Sequence, residues 1–160
     1  MIIIIMGVAG SGKTTIGLLL AKELGWTFFD ADDYHSEANR VKMSTGLALT
    51  DDDGANWLLM LKELITQNIR RGNPAVLACS ALKHSYRKTL EVNEQVKFIH
   101  LRGTYEQIKE RLDRRSGHFM PAGMLDSQFH TLEEPQNTFT VDITNTPQDI
   151  LVIIRKGLNI

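Results

Sequence analysis

The chain has 160 residues, a formal net charge of −1 and a single cysteine, Cys79. A nearly neutral protein has no general attraction for nucleic acid or an anionic membrane, so we expect neither as a partner, and bound anions must be met by local basic groups. One cysteine excludes an internal disulfide and favours a reducing compartment, and the short apolar run Met1–Met6 lacks the features of a signal peptide or membrane span, which together predict a cytoplasmic protein.

Short apolar runs rich in β-branched residues alternate with longer amphipathic segments along the chain. The short runs predict five strands, at Ile2–Met6, Thr27–Asp30, Ala75–Ser80, Val96–Leu101 and Phe139–Ile143. The longer segments predict five helices, at Lys13–Leu24, Gly54–Arg70, Lys83–Asn93, Thr104–Arg115 and Pro147–Lys156. Strands separated by helices are typical of βαβ units, so we expect one α/β domain, over 1–160, whose parallel sheet is covered by helices on both faces.

The segment Gly117–Met124, with the sequence GHFMPAGM, interrupts this alternation with two glycines and a proline. It predicts a surface loop or lid, where binding residues tend to lie. Arg111 and Arg115 precede it, four residues apart on one face of a predicted helix, with Arg114 beside them. Their position indicates that Arg111 and Arg115 could stabilise a phosphoryl group during transfer.

The glycine-rich stretch GVAGSGKT, Gly7–Thr14, lies between the first predicted strand and the first predicted helix. It matches the pattern G-x-x-x-x-G-K-[ST], whose glycines let backbone N–H groups approach a phosphate at the positive end of a helix. Lys13 can reach the β- and γ-phosphates, and the Thr14 hydroxyl can ligate Mg²⁺. The sequence therefore predicts a nucleoside triphosphate site. The candidate ATP-binding residues are Gly7, Val8, Ala9, Gly10, Ser11, Gly12, Lys13, Thr14, Thr15 and Arg111.

A phosphate loop occurs in switches, motors and kinases, and the rest of the chain separates these classes. A GTPase switch should carry the guanine-binding motif N-K-x-D, which the sequence lacks. The stretch DDDG, Asp51–Gly54, instead favours a helix N-terminus capped by Thr50 or Asp51. A motor ATPase is usually larger and has a strand that ends in an acid, whereas the run AVLAC ends in Cys79.

A small-molecule kinase needs carboxylates beside the phosphate loop, and the stretch FFDADD supplies Asp30, Asp32 and Asp33 at the end of the second predicted strand. Open α/β sheets bind their ligands at the carboxyl ends of parallel strands. Alternation along the strand directs Asp30 and Asp32 to one side and Asp33 elsewhere. The first two are therefore candidate functional carboxylates, and Asp33 fits a cap or turn residue equally well.

The chain resembles the gluconate kinase family, a branch of the P-loop kinases near shikimate and adenylate kinases, from Gly7 to about Pro135. The resemblance is carried by GVAGSGKTTIG (7–17), DADDYH (30–35), NRVKM (39–43), CSALKHSYR (79–87), RLDRRSGHFMPAGMLDSQF (111–129) and TLEEP (131–135). It implies ATP- and Mg²⁺-dependent phosphorylation of D-gluconate at its 6-hydroxyl. It also implies a three-layer P-loop kinase fold with a five-stranded parallel sheet in the order 2-3-1-4-5, a mobile lid at about 111–130 and a helical acceptor-binding segment at about 31–57. Homodimers are frequent in the family.

The resemblance implies roles for individual residues as well. Asp32 would hold the acceptor hydroxyl and act as the base, mainly by positioning it, and Asp30 would support Mg²⁺. Asn39 and Lys42 would lie in the acceptor segment, and a lid histidine, His118, would close over the phosphates with the arginines. The resulting candidates are catalytic Lys13, Asp32, Arg111 and Arg115; metal-binding Thr14 and Asp30; and substrate-binding Asp32, His35, Asn39, Arg40, Lys42, Lys83, Arg87 and His118.

The chain departs from the family pattern at Gly54, where a D-D-R-x-x-W-L-like sequence usually has an arginine that helps to bind the acceptor's carboxylate. A guanidinium fork is the natural partner of a carboxylate, so Arg40, Lys83 or Arg87 would have to take its place. The departure leaves open a related kinase for another hydroxylated acceptor. It also leaves open a catalytically weak nucleotide-binding protein that signals through lid closure, although the intact phosphate-loop and carboxylate residues argue against that alternative.

Overall fold

The computed structural model describes residues 1–115 and 122–160. A five-stranded sheet forms the centre of the protein, and all neighbouring strands are parallel in the order β2-β3-β1-β4-β5. The strands are β1 (Ile2–Met6), β2 (Thr27–Asp30), β3 (Ala75–Ala78), β4 (Val96–Arg102) and β5 (Phe139–Asp142). The order and the pairing confirm the P-loop kinase topology implied by the resemblance.

Helices cover both faces of this sheet. Within the described ranges they are α1 (Lys13–Leu24), α2 (Glu37–Ser44), α3 (Asp51–Arg70), α4 (His84–Leu90), α5 (Tyr105–Arg114), α6 (Ala122–Thr131) and α7 (Pro147–Leu158), and a 3₁₀ turn (Ala31–Tyr34) follows β2. Among these described helices, none is both long and apolar enough to cross a membrane.

The central strand β1 is buried along its whole length, and its side chains alternate between two hydrophobic clusters. Ile3 and Ile5 pack with residues of α1, α5 and α7, whereas the even-numbered residues pack with α3 and α4 on the opposite face. Successive strand residues point to opposite faces, so a continuously apolar strand needs two covered faces. The three layers that the sequence predicted are confirmed.

Helix α3 begins three residues earlier than Gly54, the residue predicted from the sequence. Thr50 is its N-cap, and its hydroxyl accepts from the backbone N–H of Asp53, while the Asp53 side chain accepts from the backbone N–H of Thr50. This reciprocal capping box satisfies two backbone donors and fixes the start of the helix at Asp51. The acidic stretch is therefore the first turn of a helix, as the sequence indicated.

The hydrophobic pattern predicted neither α2 nor α6, although the resemblance implied a helical acceptor-binding segment in the region of α2. Helix α2 buries only Asn39 and carries no apolar face, so periodicity could not reveal it. Helix α6 begins at Ala122 and therefore includes the last three residues of the predicted loop Gly117–Met124. The remainder of that loop, 117–121, lies outside the described residues.

Candidate active site

The phosphate loop leaves the carboxyl end of β1 and enters α1 through glycines with positive φ. Gly10 and Gly12 have φ of 78° and 99°, in the left-handed region that favours glycine, and Gly12 is the N-cap of α1. A Cβ at Gly7 would lie 2.8 Å from the carbonyl oxygen of Leu101 on β4, so a side chain does not fit there. The loop thus packs against the sheet and presents the N-terminus of α1, a site suited to phosphate.

Lys13 is the first residue of α1, and its side chain folds back over the loop. Nζ donates a hydrogen bond to the carbonyl oxygen of Val8 at 2.9 Å. Burial lowers the pKa of Lys13, whereas the nearby charge of Asp32 raises it. The ammonium therefore lies between the phosphate loop and the carboxylates at the end of β2, where it can meet both a phosphate and an acceptor.

Asp30 connects the end of β2 with the phosphate loop. Its Oδ2 accepts from the Thr14 hydroxyl at 3.0 Å, and its Oδ1 accepts from the backbone N–H of Asp32 at 3.0 Å. The structure therefore brings together the two candidate metal-binding residues. Hydroxyl and carboxylate oxygens are hard ligands of the kind that Mg²⁺ prefers.

The Asp32 carboxylate opens into the cleft beside Lys13. The Asp32 side chain is 83% exposed to solvent, but the surrounding walls of the cleft partly desolvate its carboxylate. This partial burial raises the pKa of Asp32, and repulsion from Asp30 adds to the shift while Lys13 opposes it. The raised pKa favours a carboxylate that can accept a proton.

A cavity of about 470 Å³ extends from the phosphate loop between α3, α4 and α6. This volume suits a small metabolite. Its lining contains Ala9, Lys13, Thr14, Asp30, Asp32, His35, Gly54, Trp57, Cys79, Lys83, Tyr86, Arg115 and Gln128, among other residues. Burial raises the pKa of Cys79 to about 12, so the thiol stays protonated and is a packing residue of the cavity, not a nucleophile.

His35 forms one wall of this cavity. Its ring stacks on Trp57 with centroids 4.5 Å apart and an interplanar angle of 9°, and the indole N–H of Trp57 donates to the carbonyl oxygen of Ala31. His35 Nε2 lies 3.9 Å from Asp32 Oδ1, and Nδ1 is buried with no hydrogen-bond partner among the described residues. Burial lowers the pKa of His35, so its ring is mainly neutral at neutral pH. A buried polar atom without a partner is uncommon in folded proteins, and here it lies in a residue that lines the cavity.

The acceptor-segment candidates Asn39, Arg40 and Lys42 do not line this cavity. Asn39 Nδ2 donates to the Asp53 carbonyl oxygen at 2.6 Å, and Lys42 Nζ lies 2.5 Å from Asp53 Oδ2. The Arg40 guanidinium donates to the carbonyl oxygens of Asp33 and His35. All three side chains join α2 to neighbouring segments, so they support the acceptor side of the cleft from outside.

Of the two basic candidates around α4, the structure brings only Lys83 to the cavity. Lys83 Nζ lies 2.6 Å from Asp51 Oδ1, which also accepts from the Tyr86 hydroxyl at 2.7 Å. Arg87 is 7% exposed and donates to the carbonyl oxygens of Ala81, Leu82 and Glu133. Its guanidinium therefore joins α4 to the chain after α6 and does not line the cavity.

The lid arginines lie on the other side of the phosphate loop. Arg111 donates to the carbonyl oxygen of Ile143, and one of its terminal nitrogens would be 3.9 Å from a Cβ at Gly12. A second cavity, of about 280 Å³, is lined by the loop glycines together with Thr15, Arg111 and Arg115. Arg115 borders both cavities, and His118 lies outside the described residues.

Gln128 is a residue of this site to which the sequence analysis gave no role. Its Oε1 accepts from the backbone N–H of Ala9 in the phosphate loop at 2.6 Å, across 119 residues of sequence. The residue belongs to the segment MLDSQF that contributes to the family resemblance, which was the available signal. Its position could not be derived because it depends on α6, which was not predicted.

Comparison with known proteins agrees with this geometry. The shikimate kinase family model matches residues 9–138. The "Probable gluconokinase" of Xenopus tropicalis is 45% identical over 170 residues, which cover 96% of this chain and 90% of that protein. The crystal structure of an unliganded sugar kinase from Janibacter sp. HTCC2649 superposes with a TM-score of 0.93 at 39% identity, covering 99% of this chain and 94% of that one. A gluconokinase from Sinorhizobium meliloti 1021 gives a TM-score of 0.89 at 38% identity, covering 98% and 90%.

These matches extend over nearly the whole chain and include the phosphate loop, the carboxylates after β2 and the segment around α6. The protein is a P-loop phosphotransferase that acts on an alcohol group, and it belongs to the gluconokinase family.

Proposed function

We propose that this protein transfers the γ-phosphoryl group of ATP to the 6-hydroxyl of D-gluconate and forms 6-phosphogluconate and ADP. The observation that carries the proposal is the opening of Lys13 and Asp32 into one cavity of about 470 Å³, in a chain 45% identical to a protein called a gluconokinase. No observation on the described residues favours a different acceptor or a protein without catalysis.

In the proposed reaction the acceptor hydroxyl oxygen attacks the γ-phosphorus, and the bond to the β–γ bridging oxygen breaks, its electron pair leaving with ADP. The hydroxyl proton passes to the Asp32 carboxylate and then to solvent. Proton transfer is late in a loose phosphoryl transfer, so Asp32 acts mainly by holding the hydroxyl in line. The raised pKa of Asp32, caused by partial burial and by Asp30, suits a carboxylate that takes up this proton.

The charge of the transferring group would be met by groups on both sides of the loop. Lys13 and the backbone N–H groups of the loop contact the β- and γ-phosphates, and Arg111 and Arg115 contact the nucleotide phosphates from α5. We propose Thr14 and Asp30 as the residues that hold Mg²⁺, because their oxygens are 3.0 Å apart and chemically suited to it. Bound Mg²⁺ would offset the negative charge of the β- and γ-phosphate oxygens.

We propose Lys83 as the partner of the gluconate carboxylate. Of the three basic residues that could replace the family's arginine, Arg40 and Arg87 are engaged with backbone carbonyl oxygens, whereas Lys83 lines the cavity close to Gly54. The Lys83 side chain is 32% exposed, and its ammonium is paired with an exposed aspartate, Asp51, so a substrate carboxylate can compete for it. His35 and Asp32 would then contact hydroxyl groups nearer the phosphate loop.

The test is a coupled ADP-release assay with Mg-ATP and a panel of gluconate, other sugar acids, neutral sugars and shikimate. We expect rapid turnover on gluconate, and phosphorus NMR of the product should place the phosphate on the 6-oxygen. Turnover on a neutral sugar, with none on gluconate, would show that the family's acceptor does not apply to this chain.

We further propose that residues 1–160 form one domain, that the enzyme acts in the cytoplasm, and that it forms a homodimer. A single cooperative thermal transition would support one domain, and sedimentation would give the oligomeric state. Cys79 is a buried free thiol, which is compatible with the reducing conditions of the cytoplasm.

A further inference from the structure

Helix α6 makes a hydrogen bond to the phosphate loop through Gln128. The contact is specific, since Gln128 Oε1 accepts from the backbone N–H of Ala9 at 2.6 Å. Ala9 and Gln128 both line the larger cavity, together with Lys13 and Asp32. The glutamine is therefore on the acceptor side of the loop and not beside Arg111 in the smaller cavity.

The partner of Oε1 fixes the orientation of the Gln128 amide. A backbone N–H can only donate, so the amide oxygen must face Ala9 and the NH₂ group must occupy the other branch. Within residues 1–115 and 122–160, Nε2 donates to no protein acceptor. Two N–H donors are thus available at the rim of the cavity, next to the loop.

The backbone around α6 holds this side chain in place. After the helix, the Glu133 N–H donates to the Leu82 carbonyl oxygen at 2.9 Å, and the Glu133 side chain accepts from the His84 N–H at 2.7 Å. Arg87 donates to the Glu133 carbonyl oxygen at 2.9 Å. Within the helix, Phe129 packs edge-on against Tyr105 of α5 with centroids 5.5 Å apart. A donor held by rigid elements loses little free energy to reorganisation when it meets a developing charge.

We propose that Gln128 is a catalytic residue whose Nε2 donates a hydrogen bond to a γ-phosphoryl oxygen as the group passes from ATP to the acceptor hydroxyl. The inference rests on the proposed phosphoryl transfer and adds a residue to it. As the acceptor oxygen bonds to phosphorus and the bond to the ADP oxygen breaks, negative charge is spread over the equatorial oxygens of the γ-phosphoryl group. Lys13 meets these oxygens from the nucleotide side, and Gln128 meets them from the acceptor side.

A neutral donor fits this position better than another cation. Lys13 and Arg115 already line this cavity, so a third cation beside them would add repulsion between like charges. An amide supplies the hydrogen bond without adding charge. Its oxygen also accepts from the backbone N–H of Ala9 and thereby holds the loop in place. The same side chain therefore positions the loop and supplies the donor.

Two substitutions separate the loss of the N–H donors from the loss of the hydrogen bond to Ala9. Gln128→Glu keeps an oxygen that can accept from Ala9, removes both N–H donors and adds a negative charge, whereas Gln128→Ala removes the hydrogen bond to Ala9 and the donors without adding charge. If the donors act in catalysis, both variants should lose about 10²- to 10³-fold in kcat, the range typical of one lost oxyanion donor. Gln95→Glu is the matched control, because Gln95 is exposed at the amino-terminal edge of the sheet, away from the site.

A second measurement needs no acceptor and reports on the γ-phosphoryl contact directly. Calorimetric titration gives the affinities for ADP and for the non-hydrolysable ATP analogue AMP-PNP. The wild type should bind AMP-PNP more tightly than ADP, and Gln128→Glu should lose that preference while it keeps its affinity for ADP. The control variant should behave as the wild type does in both assays.

A merely structural role gives a different pattern. If Gln128→Glu retains wild-type kcat and AMP-PNP preference while Gln128→Ala loses activity, the residue only braces the loop and the proposal is wrong. Wild-type behaviour of both variants would also overturn it. If the wild type does not phosphorylate gluconate, the proposed substrate fails separately, because the nucleotide titrations still decide the role of Gln128.

Discussion

The charges of Lys13 and Asp32 depend on one another at the residue scale. Burial lowers the pKa of Lys13, and the negative charge of Asp32 is the strongest of the effects that raise it. Partial burial raises the pKa of Asp32, and the positive charge of Lys13 is the strongest of the effects that lower it. Each group therefore stabilises the charged form of the other against the desolvation of the cleft. A substrate hydroxyl placed between them would meet a carboxylate acceptor and an ammonium close to the phosphate.

Replacement of Asp32 by asparagine tests the central carboxylate. Asp32→Asn preserves the shape and one acceptor oxygen but cannot take up a proton, so we expect kcat to fall by about 10²-fold or more. The affinity for AMP-PNP should change little, since the Asp32 side chain lies on the acceptor side of the loop. Steady-state kinetics and calorimetry measure the two quantities.

Asp33→Asn is the matched control for this substitution. Asp33 is the next residue, carries the same charge, is exposed and does not line the cavity. Equal losses of kcat in the two variants would remove Asp32 from the reaction centre and point to a general effect of charge near the loop.

Gly54 and Lys83 offer a paired test of carboxylate recognition. A Cβ at Gly54 would meet Tyr86 Oη at 3.6 Å and Trp57 Cε3 at 4.0 Å, which are ordinary contacts, so a longer side chain can enter the cavity. Loss of one hydrogen bond to a charged group costs about 1.5–3 kcal/mol, so Lys83→Met should raise KM for gluconate roughly 10- to 100-fold. Gly54→Arg should lower that KM, and should do so most in the Lys83→Met background.

The response of kcat distinguishes binding from chemistry in this pair. A carboxylate contact remote from the transferring group should alter KM far more than kcat. An unchanged KM in Lys83→Met would show that another residue binds the acid group.

Asp53 joins several segments at the element scale. Its carboxylate accepts from Lys42 Nζ at 2.5 Å and from the Thr50 N–H at 2.8 Å, and its carbonyl oxygen accepts from Asn39. The bonds from Lys42 and Thr50 lower the pKa of Asp53 from 3.8 to about 2. One partly buried side chain therefore caps α3 and joins α2 to it.

The shifted pKa of Asp53 predicts a pH dependence of stability. Its pKa is lower in the folded than in the unfolded state, so the ionised carboxylate stabilises the fold above the unfolded value of 3.8, and this contribution disappears as the pH falls from 3.8 through about 2. Asp53→Asn cannot ionise, so its deficit in unfolding free energy should be largest at neutral pH and shrink over that acidic interval. Urea unfolding at a series of pH values measures it.

Asp52→Asn provides the comparison for this measurement, because Asp52 is exposed in the same helical turn and makes no side-chain hydrogen bond among the described residues. Its unfolding free energy should follow the wild type across the series. A constant deficit for Asp53→Asn at all pH values would assign the effect to shape and not to charge.

The elements differ in how far the sequence determines them. Strand β1 and the loop after it were predictable because an apolar run followed by a glycine-rich motif is a local pattern. The hydrophobic pattern did not reveal helix α2, because the helix has no apolar face. Contacts with Asp53, more than ten residues away, stabilise it instead. Helix α6 was missed because glycine and proline around 121–123 favoured a loop, although proline is compatible with a first helical turn.

The same distinction applies to the candidate site. Lys13, Thr14, Asp30 and Asp32 lie in short motifs, and the structure brings them together at one edge of the sheet. Arg87 was proposed as a ligand because its charge suited a carboxylate, but its partner Glu133 is 46 residues distant. Gln128 was overlooked for the corresponding reason, since its partner Ala9 lies at the other end of the chain. Pairings over such separations have no local signature.

At the scale of the whole molecule, strand order explains how the two halves of the site meet. Strand β3 lies between β1 and β2, so the phosphate loop and Asp30 start about 10 Å apart at the same edge. The start of α1 crosses the end of β3, and the hydrogen bond from Thr14 to Asp30 closes the gap. Helices α5 and α6 then bring Arg111 and Gln128 to opposite sides of the loop. The two cavities therefore meet at the phosphate loop, where Gly10 and Arg115 line both of them.

Nucleotide binding should accordingly stabilise the whole protein, and Lys13 and Mg²⁺ should determine by how much. A ligand at 100 times its dissociation constant stabilises the folded state by about 2.7 kcal/mol, which corresponds to roughly 5–10 °C in Tm for a chain of this size. We expect a shift of this order with Mg-ATP, a smaller shift when EDTA removes the metal, and little or none for Lys13→Ala, which should also abolish transfer. Lys22→Ala, on the exposed face of the same helix, should shift as the wild type does. A full shift with Lys13→Ala would mean that the nucleotide phosphates do not bind at this loop, and with that result the roles assigned to Asp32 and Gln128 would lose their basis.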